Sequence, residues 1–406
     1  MRHNSYQEHP KQSFILAVSK LLERGAYYGI RALLVLYMIS EVFNMSAEEA
    51  LKIYGWFTAS LLGSGIIGAI FGDLIIGNRK SIIAGGILTT IGAFILCLPE
   101  LWAIYLGIGF IVFGTGFFGP NMIAQYGKNY LNNKALLDAG FTIYYIAISV
   151  GAFLSTFTIA AVGELYTWSL GFSLAGVVML ISTLLIYSST TQPIINNSNP
   201  MSKNNHWIFL ILASFLLAIF WIAYEVYGNK TKSLIYENLP YLELAPININ
   251  VHWQSFSPMF IILFGIMAII VWTKISIRPS TKFGVGFLLS AGSVGLLSLI
   301  PSNMGQSMGV LFLGSILLMS LAEIIVAPII FSMVINNGHP KYFAIISSLI
   351  FIPNRLLTSI YAIFNEQLST YSTESLIIIA IVSILVGMSL LIFSWLYKMR
   401  NKKDFT

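Results

Sequence analysis

The sequence predicts an all-α polytopic membrane protein, with twelve transmembrane helices in two six-helix bundles. Three observations carry that expectation. Of 406 residues, 57% are hydrophobic and 9% charged, against about 25% charged in a soluble domain. The apolar residues fall into runs close to the ~20 residues that a helix needs to cross a bilayer. A polar stretch, SSTTQPIINNSNPMSKN at 189–205, divides these runs six and six. It reads as a cytoplasmic linker between an N-terminal bundle, 1–188, and a C-terminal bundle, 206–406. The composition excludes a soluble enzyme, a nucleic-acid-binding domain and a disordered chain.

The spans lie at roughly 13–39, 51–76, 81–99, 101–125, 138–162, 165–188, 206–228, 255–276, 280–300, 306–335, 341–365 and 374–397. The first is too long, and too polar at its centre, for a signal peptide. The second and third flank the turn GAIFGDLIIGNRK, 68–80. The fourth holds GTGFFGPN and the fifth FTIYYIAIS; the sixth leads into the linker. The seventh and eighth are joined by 229–254, an outer loop with Pro240 and Pro246. Pro328 in the tenth and Pro353 in the eleventh interrupt the backbone ladder, and Pro353 marks a kink at cavity depth. Short polar breaks bound the ninth and twelfth.

Orientation follows from the basic residues, which gather on the cytoplasmic side. With the N-terminus placed there, 15 of the 22 Lys and Arg are cytoplasmic and 3 lie opposite, Lys52, Lys230 and Lys232. Both termini are then cytoplasmic. The single cysteine, Cys97, forms no intrachain disulfide and reads as a small buried side chain.

Seven charged residues remain at membrane depth: Lys20, Glu23, Arg24, Arg31, Glu225, Glu323 and Arg355. An unpaired charge at the bilayer centre costs at least about 2.5–3.5 kcal/mol. Such residues face the bundle interior and mark a path for ions or substrate. Four lie in KLLERGAYYGIR on the first span. At about 100° per residue, Lys20, Glu23, Arg24, Tyr27 and Arg31 share one stripe, flanked by Tyr28. A polar stripe on an inserted helix suits the wall of a water-filled cavity. Glu23 has two candidate partners, Lys20 and Arg31. A carboxylate that moves between an apolar and a cation-rich environment binds and releases a proton, which is the chemistry of a proton-coupled carrier.

Several segments together resemble the major facilitator superfamily and, within it, the proton-dependent oligopeptide transporter family. The turn at 68–80, with Gly68, Asp73, Gly77, Arg79 and Lys80, resembles the superfamily's second-to-third-helix motif. LLERGAYYGIR (21–31) resembles the first-helix signature ExxERFxYYG followed by Arg. GTGFFGPNMIAQYGKNY (114–130), DAGFTIYYIAISVGAFLS (138–155), FWIAYEVYG (220–228), WQSFSPMFII (253–262) and AEIIVAPIIFSMV (322–334) resemble segments of the fourth, fifth, seventh, eighth and tenth helices.

The resemblance implies alternating-access import of di- and tripeptides by proton symport. It implies that Arg31 binds the peptide carboxylate and Glu323 the amine, and that Tyr27 and Tyr28 line the pocket. Glu225 would pair with Arg31. Proton coupling would fall to Glu23, Arg24, Glu225 and Glu323. Ser149 and Ser257 stand where the family has Asn, Gly119 where it has Lys, and Lys20 where it has the first Glu of its signature. Together with Arg355 and Glu225, the residues Ser149, Ser257 and Lys20 complete the expected substrate site. Three acids then face four bases. That balance admits a second reading, a carrier of a small organic anion or acidic peptide with altered or lost proton coupling, and a third, a non-transporting sensor.

No cofactor is expected, the proton gradient being the energy source. The expected partners are a small-molecule or short-peptide substrate, protons and membrane lipid, without nucleic acid, for a monomer in a bacterial inner membrane. An intramembrane enzyme is disfavoured. His3, His9, His206, His252 and His339 all lie in tails, loops or span ends, and no phosphate-binding Gly-rich loop is present.

Overall fold

The computed structural model describes residues 8–189, 206–237, 250–301, 309–354, 356–357 and 373–403. Most of the linker and Arg355 lie outside them. The described chain is helical: α1 (Lys11–Ile39), α2 (Ala47–Ile70), α3 (Asn78–Ile95), α4 (Leu101–Lys128), α5 (Leu137–Ser155), α6 (Ala161–Leu165), α7 (Trp168–Ser188), α8 (His206–Glu237), α9 (Asn250–Lys274), α10 (Pro279–Ser298), α11 (Gly309–Asn337), α12 (Phe343–Leu349) and α13 (Thr373–Lys403). Nine helical stretches among the described residues are long and apolar enough to cross a membrane. With α1 and α3 they match eleven of the twelve expected spans; α12 lies at the start of the expected span 341–365, whose residues 355 and 358–365 lie outside the described ones.

Local chemistry explains several ends. Ser46 caps α2 by accepting from the Glu49 amide at 3.2 Å, and Thr167 caps α7 by accepting from Leu170 at 3.3 Å. Pro279 occupies the first turn of α10, where its missing N–H costs nothing. Two spans contain five-residue π-helical stretches. Phe71–Ile75 extends α2, and Thr156–Ala160 joins α5 to α6. Such bulges insert a residue into a helix and often sit at functional sites.

Two stretches differ from the expected connections. Helix α8 continues to Glu237 and α9 begins at Asn250, so both ends of the expected 229–254 loop are helical. Asn229–Lys230–Thr231, a sequence that fits a glycosylation acceptor, lies in a helix, with the Thr231 hydroxyl donating to the Tyr227 carbonyl. Lys230, expected on the outer surface, is buried.

The chain divides into two compact units, one of residues 1–207 and 331–350, the other of 208–330 and 351–406. In the first unit α1 packs against α5 and α7, α3 against α4 and α7, and α2 against α4. Helix α12 lies on α2 and α4. Ser19 and Ser182 tie α1 to α7, each hydroxyl reaching the other's backbone carbonyl, at 3.1 and 2.7 Å. Buried hydroxyls of this kind hold membrane helices together where apolar packing alone does not discriminate partners. In the second unit α10 packs on α13. Val226, Leu234, Val294, Leu297, Phe312 and Leu376 form a core cluster there. Large apolar side chains such as Leu184, Phe209 and Leu385 stand exposed, as suits a face covered by lipid.

Candidate functional site

The helical period of α1 brings its charges together as the stripe requires. Glu23 is almost fully buried and accepts from two cations. Its Oε2 lies 2.8 Å from Lys20 Nζ. Arg24 grips both carboxylate oxygens, Nε to Oε2 at 2.7 Å and Nη2 to Oε1 at 2.5 Å. Residues three apart share a helix face, and Arg24 reaches back along the chain, so one helix supplies the whole triad. Of the two candidate partners for Glu23, the structure selects Lys20 and adds Arg24.

Aromatic rings surround the excess positive charge. Lys20 Nζ lies 5.6 Å from the Phe118 ring on α4 and 5.9 Å from the Tyr144 ring on α5. The Arg24 guanidinium sits 4.5 Å from the Tyr27 ring. Such contacts contribute roughly 0.5–2 kcal/mol each, more when water is excluded. Two turns further along, Arg31 donates through Nε to the Tyr54 hydroxyl at 2.8 Å, and through Nη2 to the same oxygen. Tyr27 and Tyr28 flank it, their rings 5.6 and 5.8 Å from its guanidinium carbon. Tyr54, on α2, has no counterpart in the sequence reading. No spacing within one helix reveals a contact made from another.

In the second unit Glu323 is buried on α11. Tyr224 of α8 lies within hydrogen-bonding reach of both Glu323 and Ser257. The Ser320 hydroxyl adds a link to Ser257 Oγ at 3.2 Å. Glu323, Ser257, Ser320 and Tyr224 thus form one polar cluster from three helices. Glu225, one residue beyond Tyr224, is exposed. Ser149 is buried and donates to the Tyr145 carbonyl of its own helix at 3.2 Å.

The turn motif forms a third polar group. Asn78 links Asp73 and Asn121, its Nδ2 donating to the two Oδ1 atoms at 2.9 and 2.8 Å. Lys128 donates to Asn78 Oδ1 at 2.5 Å. Asn121 donates to the Gly68 carbonyl at 2.8 Å. A Cβ at Gly72 would fall 1.6 Å from Asn121 Oδ1, so glycine here leaves room for the Asn121 amide. Gly77 turns the chain with φ 88°, a value that favours glycine. Asp73 Oδ2 accepts the Ile345 amide at 2.8 Å, in the first turn of α12. Arg79 donates to the Tyr187 carbonyl at 2.7 Å, covering the end of α7, while Lys80 is exposed. The parts played by Asn78, Asn121 and Lys128 were not read from the sequence, although Asn121 lies within the quoted GPN segment.

The family model described as PTR2, POT family, matches residues 79–239. The chain is 24% identical to "Uncharacterized transporter YclF" of Bacillus subtilis (strain 168), over 97% of this chain and 95% of that one. It is 27% identical to "Dipeptide and tripeptide permease B" of Photorhabdus asymbiotica, over 56% of this chain and 47% of the permease, so that match spans about half the permease's length. A crystal structure of a POT family transporter in complex with a thioalcohol conjugated peptide superposes with a TM-score of 0.65, over 96% of this chain and 97% of that one, at 22% identity. Beside its charged first helix and its turn motif, the chain matches the POT family model over residues 79–239 and shares the fold of solved POT family transporters.

Proposed function

We propose that the protein is a secondary active carrier that takes up small peptides or peptide-like solutes with protons by alternating access, in a bacterial plasma membrane. The observation that carries this reading is the buried charged stripe of α1, in which Lys20, Glu23, Arg24 and Arg31 are held by specific partners. Charges this costly to bury persist in spans that handle charged cargo. Arg31, fixed by Tyr54 and bracketed by Tyr27 and Tyr28, presents a planar donor fork suited to a carboxylate. Glu323, in its cluster with Tyr224 and Ser257, supplies an acceptor suited to an ammonium. A peptide carries both groups.

Uptake of radiolabelled dialanine into proteoliposomes, with the interior alkaline, tests the reading. Arg31→Ala and Glu323→Gln are expected to abolish uptake while the purified proteins stay folded. Full activity in both variants would sink the assignment.

The charge on α1 favours a second reading. The stripe holds three cations and one acid, and Lys20 and Arg24 share that acid, Glu23. A substrate with more negative charge than a zwitterionic peptide, an acidic peptide or small organic anion, would neutralise it. Thermal-shift panels distinguish the two readings. Stabilisation by acidic ligands supports the second, and a preference for lysine-containing peptides refutes it.

A further inference from the structure

Tyr144 faces Lys20 with its ring, but none of the three clusters uses its hydroxyl. It is 1% exposed on α5, and its hydroxyl makes no hydrogen bond among the described residues. Leaving a buried hydroxyl unpaired costs about 1–3 kcal/mol, and such a group calls for a role. Tyr144 stands between two polar systems. On one side is the Lys20–Glu23 pair, with Lys20 Nζ 5.9 Å from its ring centre. On the other, its ring packs 4.9 Å from that of Tyr126. The Tyr126 hydroxyl lies 3.5 Å from that of Tyr130, and the Tyr130 hydroxyl lies 3.1 Å from His9 Nδ1. His9 precedes α1, outside the spans, with Tyr130 and the Phe14 ring beside it. Burial lowers its imidazole below the usual histidine range. At neutral pH it is therefore a neutral base.

Charge counting identifies which member of the triad exchanges a proton. The charged groups at Lys20 are Glu23 and Arg24 of its own helix, while α4 and α5 present the Phe118 and Tyr144 rings. Arg24 keeps its proton in a protein. Protonating Glu23 would raise the buried cluster from +1 to +2. Removing a proton from Lys20 leaves the doubly bonded Glu23–Arg24 pair, with no net charge. Burying net charge is costly, so the second change is the accessible one.

We infer that Lys20 is the proton-exchanging group of this carrier and that Tyr144, Tyr126, Tyr130 and His9 form its path toward the end of the first unit where the chain enters α1. The inference rests on the proton-coupled reading above. The Lys20 ammonium gives a proton, through a bridging water, to the Tyr144 oxygen. The Tyr144 hydroxyl, unpaired at rest, passes its proton through a second bridging water to Tyr126; the Tyr126 proton goes to Tyr130, and that of Tyr130 to Nδ1 of neutral His9. Each hydroxyl ends with one proton and Lys20 is a neutral amine. The imidazolium then loses its added proton to solvent. One N–H bond breaks at Lys20 and one forms at His9. At rest Tyr126 donates to the Gly140 carbonyl at 2.7 Å, so each passage requires this hydroxyl to rotate, which gates the path.

Two measurements on the full chain test this. In protein labelled with 15Nζ-lysine, the resonance absent from Lys20→Met belongs to Lys20. It is expected to show ammonium and neutral amine populations below the ~10.4 midpoint of a free lysine. A Lys20 that stays wholly ammonium up to that pH overturns the inference. In proteoliposomes, the ratio of proton-driven dialanine uptake to dialanine counterflow is expected to fall about tenfold or more in Tyr144→Phe and His9→Phe, equivalent to about 1.4 kcal/mol. An unchanged ratio in both overturns the path. Tyr144→Phe removes only an unpaired hydroxyl, so it is expected to fold. A wild-type protein without dialanine counterflow would refute the peptide-carrier reading, while the lysine spectrum still decides the role of Lys20.

Discussion

Glu23 is held by two cations at once, and the two substitutions that break this triad are expected to differ sharply. Glu23→Gln leaves Lys20 and Arg24 buried without their anion. Breaking a buried pair in this way costs about 3–5 kcal/mol, so the variant should melt well below wild type in detergent. Lys20→Met leaves the Arg24–Glu23 pair at 2.5 and 2.7 Å intact and is expected to melt near wild type or above it. Equal losses in the two would contradict the charge account. The Lys20–Glu23 pair was legible in the sequence because the two residues sit three positions apart on one helix face; the bond from Arg24, an immediate neighbour of Glu23, was not among the candidates. Tyr54 was not, since its contact with Arg31 joins two helices. Lys282, one of the 15 basic residues assigned to the cytoplasmic side, is 2% exposed, with Nζ 3.9 Å from the Trp272 ring. A basic residue at a span end looks the same in sequence whether it meets water or an aromatic face.

Among the elements, α12 shows what the turn motif does locally. Its first-turn amide at Ile345 is satisfied by Asp73, 272 positions earlier. The carboxylate also complements the partial positive charge of the helix start. Asp73→Ala removes both effects, a loss of about 0.5–2 kcal/mol. Amide exchange over 343–349 is expected to quicken by roughly tenfold, read by deuterium uptake and mass spectrometry. Unaltered protection there would show that the contact contributes nothing. Gly72→Ala would displace the Asn121 amide and is expected to disturb the Asn78–Asn121 link. The sequence reading placed Asp73 in a motif from its spacing. It could not give the partner, because no local pattern encodes a contact over that separation. The length of α8 was missed for a different reason. Its last turns, GNKTKSLIYE, are polar enough to read as loop, yet Lys230 and Leu234 turn inward and keep them helical.

For the whole molecule, hydropathy and charge bias sufficed for the helical membrane class and the span count, because a bilayer demands long uninterrupted apolar helices. The grouping of residues 331–350 with the first 207 was not legible. It depends on contacts such as Phe331 with Phe141, ring centres 5.6 Å apart, which tie the end of α11 to α5.

The unbalanced stripe of α1 also has an electrical consequence. Three cations and one acid lie on a helix that spans the membrane, so the membrane potential acts on them directly. Moving one elementary charge across the full field is worth about 2.3 kcal/mol per 100 mV. In the proposed carrier cycle, moving part of this stripe through the field would make uptake depend on voltage as well as on the pH difference. With potassium and valinomycin setting the potential at a fixed pH gradient, uptake is expected to rise as the interior is made negative. A rate indifferent to voltage would mean that these charges stay still in the field while the protein works.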